Sequence, residues 1–487
     1  MKQLFVGVML VITAATSVSA NPLDGLGAER AVLTPAQIAD RSARLEESTT
    51  FALLRFPEAL RAPSRILSRD IWSAITSAAG TYDLDPMVLA GMIFIESYGD
   101  PLAKSPTGPA GIAQLTRASA REMGLSTGRR VRVGTKAVKK TRWVGKGKSR
   151  RRVTQTVRQA VYKTVDDRYV PERAIAAMAR RVSTRRSWLG GKVDFAIAEY
   201  HMGAGRMAKL LSAYFGRTIR VSDVPDVMAS ADVTYSGLFW TNTPYHRPAV
   251  YQALDRLNRV DYSPTYYFRV RQAMRLLSLY RESPAAYAEL ASGFQNRFGH
   301  TVLPNMQWTF VTQEDISVAP VSSSGELASD VSERFVELPD LASTFGLRTP
   351  GPVTAERSTI GSALLIADQL RSLQGKAYRG LAIGRMRADG NEEDQALPLH
   401  GLGWAFDIPS TGLTKTEIRD LRFVLTDLRH AGLLTYAEDG RQPTFHIVRH
   451  PDHTAAFEQV YWDAMGGPPP GDTPSVVIAA AGGRDNE

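Results

Sequence analysis

The sequence predicts a mainly α domain carrying an inserted basic β-hairpin, followed by a smaller α/β domain. Three observations lead there. Helix-forming segments dominate residues 65–299, the most apolar of them being Met87 to Ile95. Between Arg129 and Lys163 the pattern switches to period two, with 14 Lys or Arg and no Asp or Glu. Over residues 357–462, helical segments alternate with short strand-like ones.

A chain of 487 residues is long enough for two or more domains. Hydrophobic content of 44% and charged content of 22% are those of globular protein. With no Cys, disulfides and thiolate metal sites are excluded. Residues 1–20 read as a signal peptide: Lys2, an apolar run from Leu4 to Ile12, then Val18-Ser19-Ala20. An uncleaved anchor is the alternative, and the run is short for a membrane span. The expected location is the periplasm. Residues 21–64 are expected to form a helical arm without recognisable chemistry.

Asp70 to Ala79 puts Ile71, Trp72 and Ile75 on one stripe and opens the first domain. Asp85-Pro86 is a helix start, with a capping carboxylate and a ring that pre-sets φ. The apolar run that follows ends on one carboxylate, Glu96, then Ser97 and a Gly99-Asp100-Pro101 turn. A Glu at the mouth of an apolar helix is poorly solvated, which raises its pKa as a general acid requires. A surface Glu in a last helical turn is the competing reading. Next comes SPTGPAGIAQ, from Ser105 to Gln114. Its glycines permit close approach of backbone to a ligand, and Gln114 offers an amide donor and acceptor. Ala113 to Met123 is expected to be the following helix.

The basic segment 129–163 alternates around Gly145-Lys146-Gly147 and reads as a long hairpin. Without its 14 cations the formal charge of +10 becomes −4, so the basic character is local. Its expected partner is an anionic wall polymer or a membrane surface; a solvated hairpin without a partner stays open. Nucleic acid is not expected.

Asp166 to Ala179 restarts the helical pattern, with Pro171 near a first turn. Phe195 to Leu211 reads as one helix containing AEYHMGAGR. Glu199 has no assigned role there and is expected to face water. Three ordered blocks are now in place: Glu96-Ser97, then Ser105 through Gly108 and Gly111 to Gln114, then Ala198-Glu199-Tyr200-His201-Met202-Gly203. Together they resemble the goose-type lysozyme-like lytic transglycosylases. His201 stands where that family usually has Asn, and Pro109 where a small residue is usual. The resemblance implies a lysozyme-like fold and a peptidoglycan substrate cut at the MurNAc–GlcNAc β-1,4 bond. It makes Glu96 the catalytic acid. It implies Ser97, Ser105, Gly108, Gln114, Tyr200 and His201 as substrate-binding residues. Tyr262 to Leu277 resembles the closing helix of these enzymes, with Tyr267 the candidate and Tyr266 second. No cofactor is needed at this site. No second carboxylate in the motifs is assigned a catalytic role, since Asp100 precedes Pro101 in a turn and Glu199 has none, which suits a transglycosylase forming a 1,6-anhydro product. A hydrolysing lysozyme and a non-catalytic peptidoglycan-binding protein stay open.

Residues 300–356, with Ser322-Ser323-Ser324-Gly325, read as a linker. Over 357–462, Ser362 to Leu373 and Lys415 to Ala431 read as helices, and Leu381 to Arg387 and Thr444 to Val448 as strands. His400, Asp407 and His446 resemble the ligand set of the zinc D-alanyl-D-alanine peptidases. The resemblance implies zinc and a stem-peptide substrate in this domain. The family's catalytic Glu is replaced by Pro443, leaving Glu438 as the nearest carboxylate upstream apart from Asp439. Residues 463–487 are expected to be a disordered tail.

Overall fold

The computed structural model describes residues 23, 26–295, 335–337, 342–349, 354–384, 386, 403–438, 444–450 and 453–467. The expected signal segment, His400, Pro443, residues 300–334 of the expected linker and residues 468–487 of the expected tail lie outside them. The chain divides into two compact units. One holds residues 42–324 and 391–398; the other holds 1–41, 325–390 and 399–487.

The larger unit is helical apart from one ribbon. Helix α1 (Arg69–Tyr82) ends on Asp83 in the left-handed conformation, φ 52°. Helix α2 (Pro86–Ser97) starts where Asp85 Oδ1 accepts from Met87 N at 2.8 Å, and stops at Tyr98, φ 51°. Leu89, Met92, Ile93 and Phe94 within it are completely buried. Each such side chain contributes roughly 1.5–3 kcal/mol. The small residues in this run have a reason. A Cβ on Gly91 would stand 2.9 Å from both Met274 Cγ and Val270 O, so glycine lets the closing helix approach.

The helix expected over Ala113 to Met123 is shorter, α3 (Arg117–Glu122), capped by Thr116. Its first residues belong instead to the preceding loop, where Ala110 bridges both Lys104 and Leu115. Strands β1 (Thr127–Val144) and β2 (Arg151–Asp166) form an antiparallel ribbon, in register from Thr127–Asp166 to Val144–Arg151. The register slips twice, between Thr127 and Arg129 and between Arg132 and Gly134, which leaves Gly128 and Val133 as extra residues.

Helix α4 (Pro171–Trp188) packs on α1 and on α5 (Val193–Met202). The single helix expected from Phe195 to Leu211 is broken at Gly203, φ 82° and ψ 151°, and α6 (Ala204–Phe215) follows. The closing helix α7 (Tyr266–Glu282) lies against α2 and α5.

The smaller unit centres on α8 (Arg357–Gln374), which packs against α9 (Lys415–His430) and α10 (Thr454–Ala464). A Cβ on Gly361 would lie 1.9 Å from Phe457 O, so this helix pair also needs a glycine. Beside two short strand pairings, the unit carries a three-stranded antiparallel sheet: β3 (Ala405–Pro409), β4 (Leu434–Glu438) and β5 (Thr444–Arg449), with β5 in the middle. Asp427 on α9 is buried and accepts from Arg30, Arg41 and the Gly27 amide.

Candidate active site

Glu96 sits one residue from the end of α2. Tyr266, the first residue of α7, donates its hydroxyl to Glu96 Oε1 at 2.7 Å. Loss of water at this position pushes the Glu96 carboxyl up to about 7, against the opposing pull of the Tyr266 hydroxyl and the Arg181 guanidinium. Tyr266 holds one oxygen, leaving Oε2 as the atom available to carry a proton.

A wall of rings adjoins this pair. His201 stacks on Tyr266, with centroids 5.0 Å apart and planes 22° off parallel. On Tyr262 the separation is 4.3 Å. The Arg269 guanidinium covers Tyr262 at 4.2 Å. His201 Nδ1 pairs with Ser263 Oγ at 2.8 Å, and burial holds its pKa down to about 4. The imidazole is therefore neutral at neutral pH and extends an uncharged surface.

The loop from Gly99 to Leu115 is fixed by side chains from three elements. Three consecutive carbonyls are held in turn: Gly111 O by Gln114 Nε2 at 2.9 Å, Ile112 O by Ser97 Oγ at 2.8 Å, Ala113 O by Tyr200 Oη at 2.7 Å. Gln114 also reaches Ala103 O at 3.2 Å and takes a φ of +43°. At the base of the ribbon, Arg168 donates to Gly108 O and Leu115 O, both at 3.1 Å. Asp166 holds Arg168 in place at 2.8 Å. Gly111 has φ +76°, and a Cβ there would lie 1.7 Å from Arg168 O. Only glycine fits that approach.

The residues expected to bind substrate thus fall into groups. Ser97, Gln114 and Tyr200 commit their donors to the loop backbone. Ser105 and Gly108 line a cavity of about 1040 Å³ with Arg117, Asp166 and Arg168, and Glu96 is not among its lining residues. His201 joins the ring wall. Tyr267 stands apart: it packs edge-on against Tyr235 and Phe268, and it is Tyr266 that meets Glu96. Helix phase carries the reason. Tyr266, Val270, Ala273 and Leu277 form the buried stripe, whereas Tyr267 falls in line with Arg271 and Arg275. Arg168 and Tyr262 had no signal in the motifs.

The sequence led us to expect Glu199 in water; instead it is completely buried. Arg181 and Arg185 stand 3.6 and 3.4 Å from its Oε1, and burial raises its pKa. The Arg181 guanidinium also lies 5.2 Å from the centre of the Tyr200 ring. Arg206, in the same motif, holds Asp261 at 2.9 Å.

In the smaller unit, Asp407 and His446 are register partners on β3 and β5, with Oδ1 and Nδ1 2.8 Å apart. Ala437 of β4 pairs with His446 and so shares their face. Glu438 pairs with Phe445 on the other face and binds Arg422 of α9. It cannot serve as a base beside Asp407 and His446. Among the described residues, no group of three or more His, Asp or Glu stands together as a metal site.

Residues 73–139 match the family model of the transglycosylase SLT domain. The "Transglycosylase" of Enterobacteria phage PRD1 is 38% identical over 55 residues, covering 11% of this chain and 21% of that protein. The "Membrane-bound lytic murein transglycosylase F" of Desulfosudis oleivorans is 44% identical over 52 residues, covering 11% of this chain and 12% of that one. The chain therefore spans about a fifth or less of the length of these two relatives. The matched region contains Glu96 and the pinned loop.

Proposed function

We propose that this chain is a peptidoglycan lytic transglycosylase of the cell envelope, with Glu96 as its acid and base. The observation that carries the reading is a desolvated carboxyl, raised to about 7 and held by one tyrosine, inside a transglycosylase SLT match. Glu96 enters the reaction protonated and gives its proton to the glycosidic oxygen between MurNAc and GlcNAc. As that C1–O bond breaks, positive charge develops at the muramoyl C1. The carboxylate left behind is stabilised by the Tyr266 hydroxyl. It then removes the proton from the muramoyl 6-hydroxyl, whose oxygen bonds to C1 and closes the 1,6-anhydro ring. Glu96 is protonated again and no water is consumed. Glu199, the carboxylate in the same motif as Tyr200, is buried against Arg181 and Arg185, so a single acid is assigned here, which favours this route over hydrolysis. The ring wall of His201, Tyr262 and Tyr266 would face the sugar, while Ser97, Gln114 and Tyr200 set the loop that shapes the cleft.

Digestion of purified peptidoglycan in water labelled with heavy oxygen tests the chemistry. The expected products are anhydromuropeptides without label. Labelled reducing ends would make the enzyme a hydrolase.

The pairing of Asp407 with His446 supports a second, separate reading for the smaller unit. With His400, these nitrogen and oxygen donors would suit zinc, which supplies a Lewis acid when bound. Because Glu438 lies on the opposite face of the sheet and binds Arg422, the site reads as metal- and stem-peptide-binding. Among the described residues, no helix is long and apolar enough to cross a membrane. The periplasm is the proposed location.

A further inference from the structure

The ribbon of β1 and β2 has no part in the chemistry above beyond its base. It runs 18 residues out from Thr127 to Val144. At strand rise that is a reach of roughly 50 Å. Apart from Val131, Val138, Val153, Val157, Ala160 and Val161, which are half-buried, its described side chains from Arg130 to Tyr162 are exposed. A two-stranded ribbon gains little stability alone in water, so an exposed one of this length calls for a ligand along it. None of its described cations between Arg130 and Arg158 forms an ion pair with a carboxylate among the described residues.

The tip decides what that ligand is. Trp143 and Val144 are 58% and 39% exposed at the end of β1. Lys146, Lys148, Arg150, Arg151 and Arg152 follow within the next eight residues. A hydrated polyanion would attract the cations but offers the exposed Val144 nothing. A glycan is usually gripped by amides and carboxylates, and residues 139–154 hold no Asn, Gln, Asp or Glu. Only an anionic bilayer surface presents phosphate and apolar phase together, the environment in which Trp and basic residues collect.

We propose that the tip of this ribbon, residues 143–152, docks on a lipid bilayer with anionic headgroups, Trp143 and Val144 entering the interface and the five cations meeting phosphate. This holds the Arg168 end of the ribbon, and with it the pinned loop, at a distance from the surface set by the ribbon's length. This docking is independent of the chemistry at Glu96.

The test is co-sedimentation of the full chain with phosphatidylcholine vesicles, with and without about one third phosphatidylglycerol. Wild type is expected to bind the anionic vesicles at least tenfold more tightly, with the advantage shrinking as salt rises. Replacing Lys146, Lys148, Arg150, Arg151 and Arg152 together by Gln should lower the affinity for anionic vesicles about a hundredfold or more. Trp143→Ala with Val144→Ser, which keeps all the charge, should lower it about tenfold. Equal binding to neutral and anionic vesicles overturns the proposal. So does full binding by the five-Gln variant, or binding to wall fragments or nucleic acid but not to vesicles.

Discussion

The end of α2 and the middle of the C-terminal sheet both set acid–base groups on rigid elements, yet they differ in how those groups are completed. At Glu96, a capped helix, a pinned loop, α5 and α7 converge from four parts of the sequence. At Asp407 and His446, two neighbouring strands supply both groups, and the side chain across the next strand is Ala437. The first carboxylate is desolvated and faces one neutral hydroxyl donor; the second lies against an imidazole. A desolvated carboxyl keeps its proton for donation. A carboxylate beside a histidine nitrogen is arranged as a ligand or an orienting group. What surrounds the charge, rather than the residue type, separates an acid from a ligand.

Removing the acid gives the largest expected effect. Glu96 being the proposed acid, Glu96→Gln should lower kcat at least about a thousandfold. His446→Ala should leave glycan cleavage unchanged and abolish whatever metal binding the smaller unit has, measured by metal titration. Loss of glycan cleavage in His446→Ala would remove the separation between the two sites.

Gly111→Ala comes next. The methyl would press on Arg168 O at a positive φ, so the loop must shift. About a hundredfold loss of kcat/KM is expected, with little change in the far-ultraviolet circular dichroism.

Tyr266→Phe should cost about tenfold in kcat, and Tyr267→Phe almost nothing. The pH profile adds a sharper readout. The proposed reaction requires protonated Glu96, so kcat/KM should be flat below about pH 7 and fall above it. The Tyr266 hydroxyl lowers that pKa, so its loss should move the alkaline limb to higher pH. A purely structural role for Tyr266 would leave the limb in place.

The smallest effect is on stability. The Glu96 carboxyl rises from 4.5 in the unfolded chain to about 7 in the folded one. Below pH 4.5 both states are protonated and nothing is lost. As pH rises from there to 7, the unfolded chain ionises first and folding is progressively disfavoured, by about 3 kcal/mol at most. Glu96→Gln should therefore unfold at higher denaturant than wild type at pH 8 and show no such gain at pH 4.

Much of the first site was legible in the chain. Asp85-Pro86, the apolar run and Glu96 mark a buried helix with an acid at its mouth from residue types and spacing alone. Less legible was where each polar donor would go. Ser97, Gln114 and Tyr200 look like substrate ligands because they are polar and lie in motifs. They bind loop carbonyls because those carbonyls have no partner strand or helix. Tyr266 could have been preferred to Tyr267 from helix phase alone. Glu199 was harder: its two arginines lie one turn apart on α4, 14 and 18 residues earlier. The break at Gly203 followed from a conformation that only tertiary packing selects.

The most direct test is the ionisation of Glu96 itself, followed by carboxyl resonances in protein labelled at glutamate carboxyls, with Glu96→Gln used to assign the signal. A midpoint near 7 is expected. A midpoint near 4.5 would mean that the carboxyl is solvated and ionised at neutral pH, and would contradict its role as the acid.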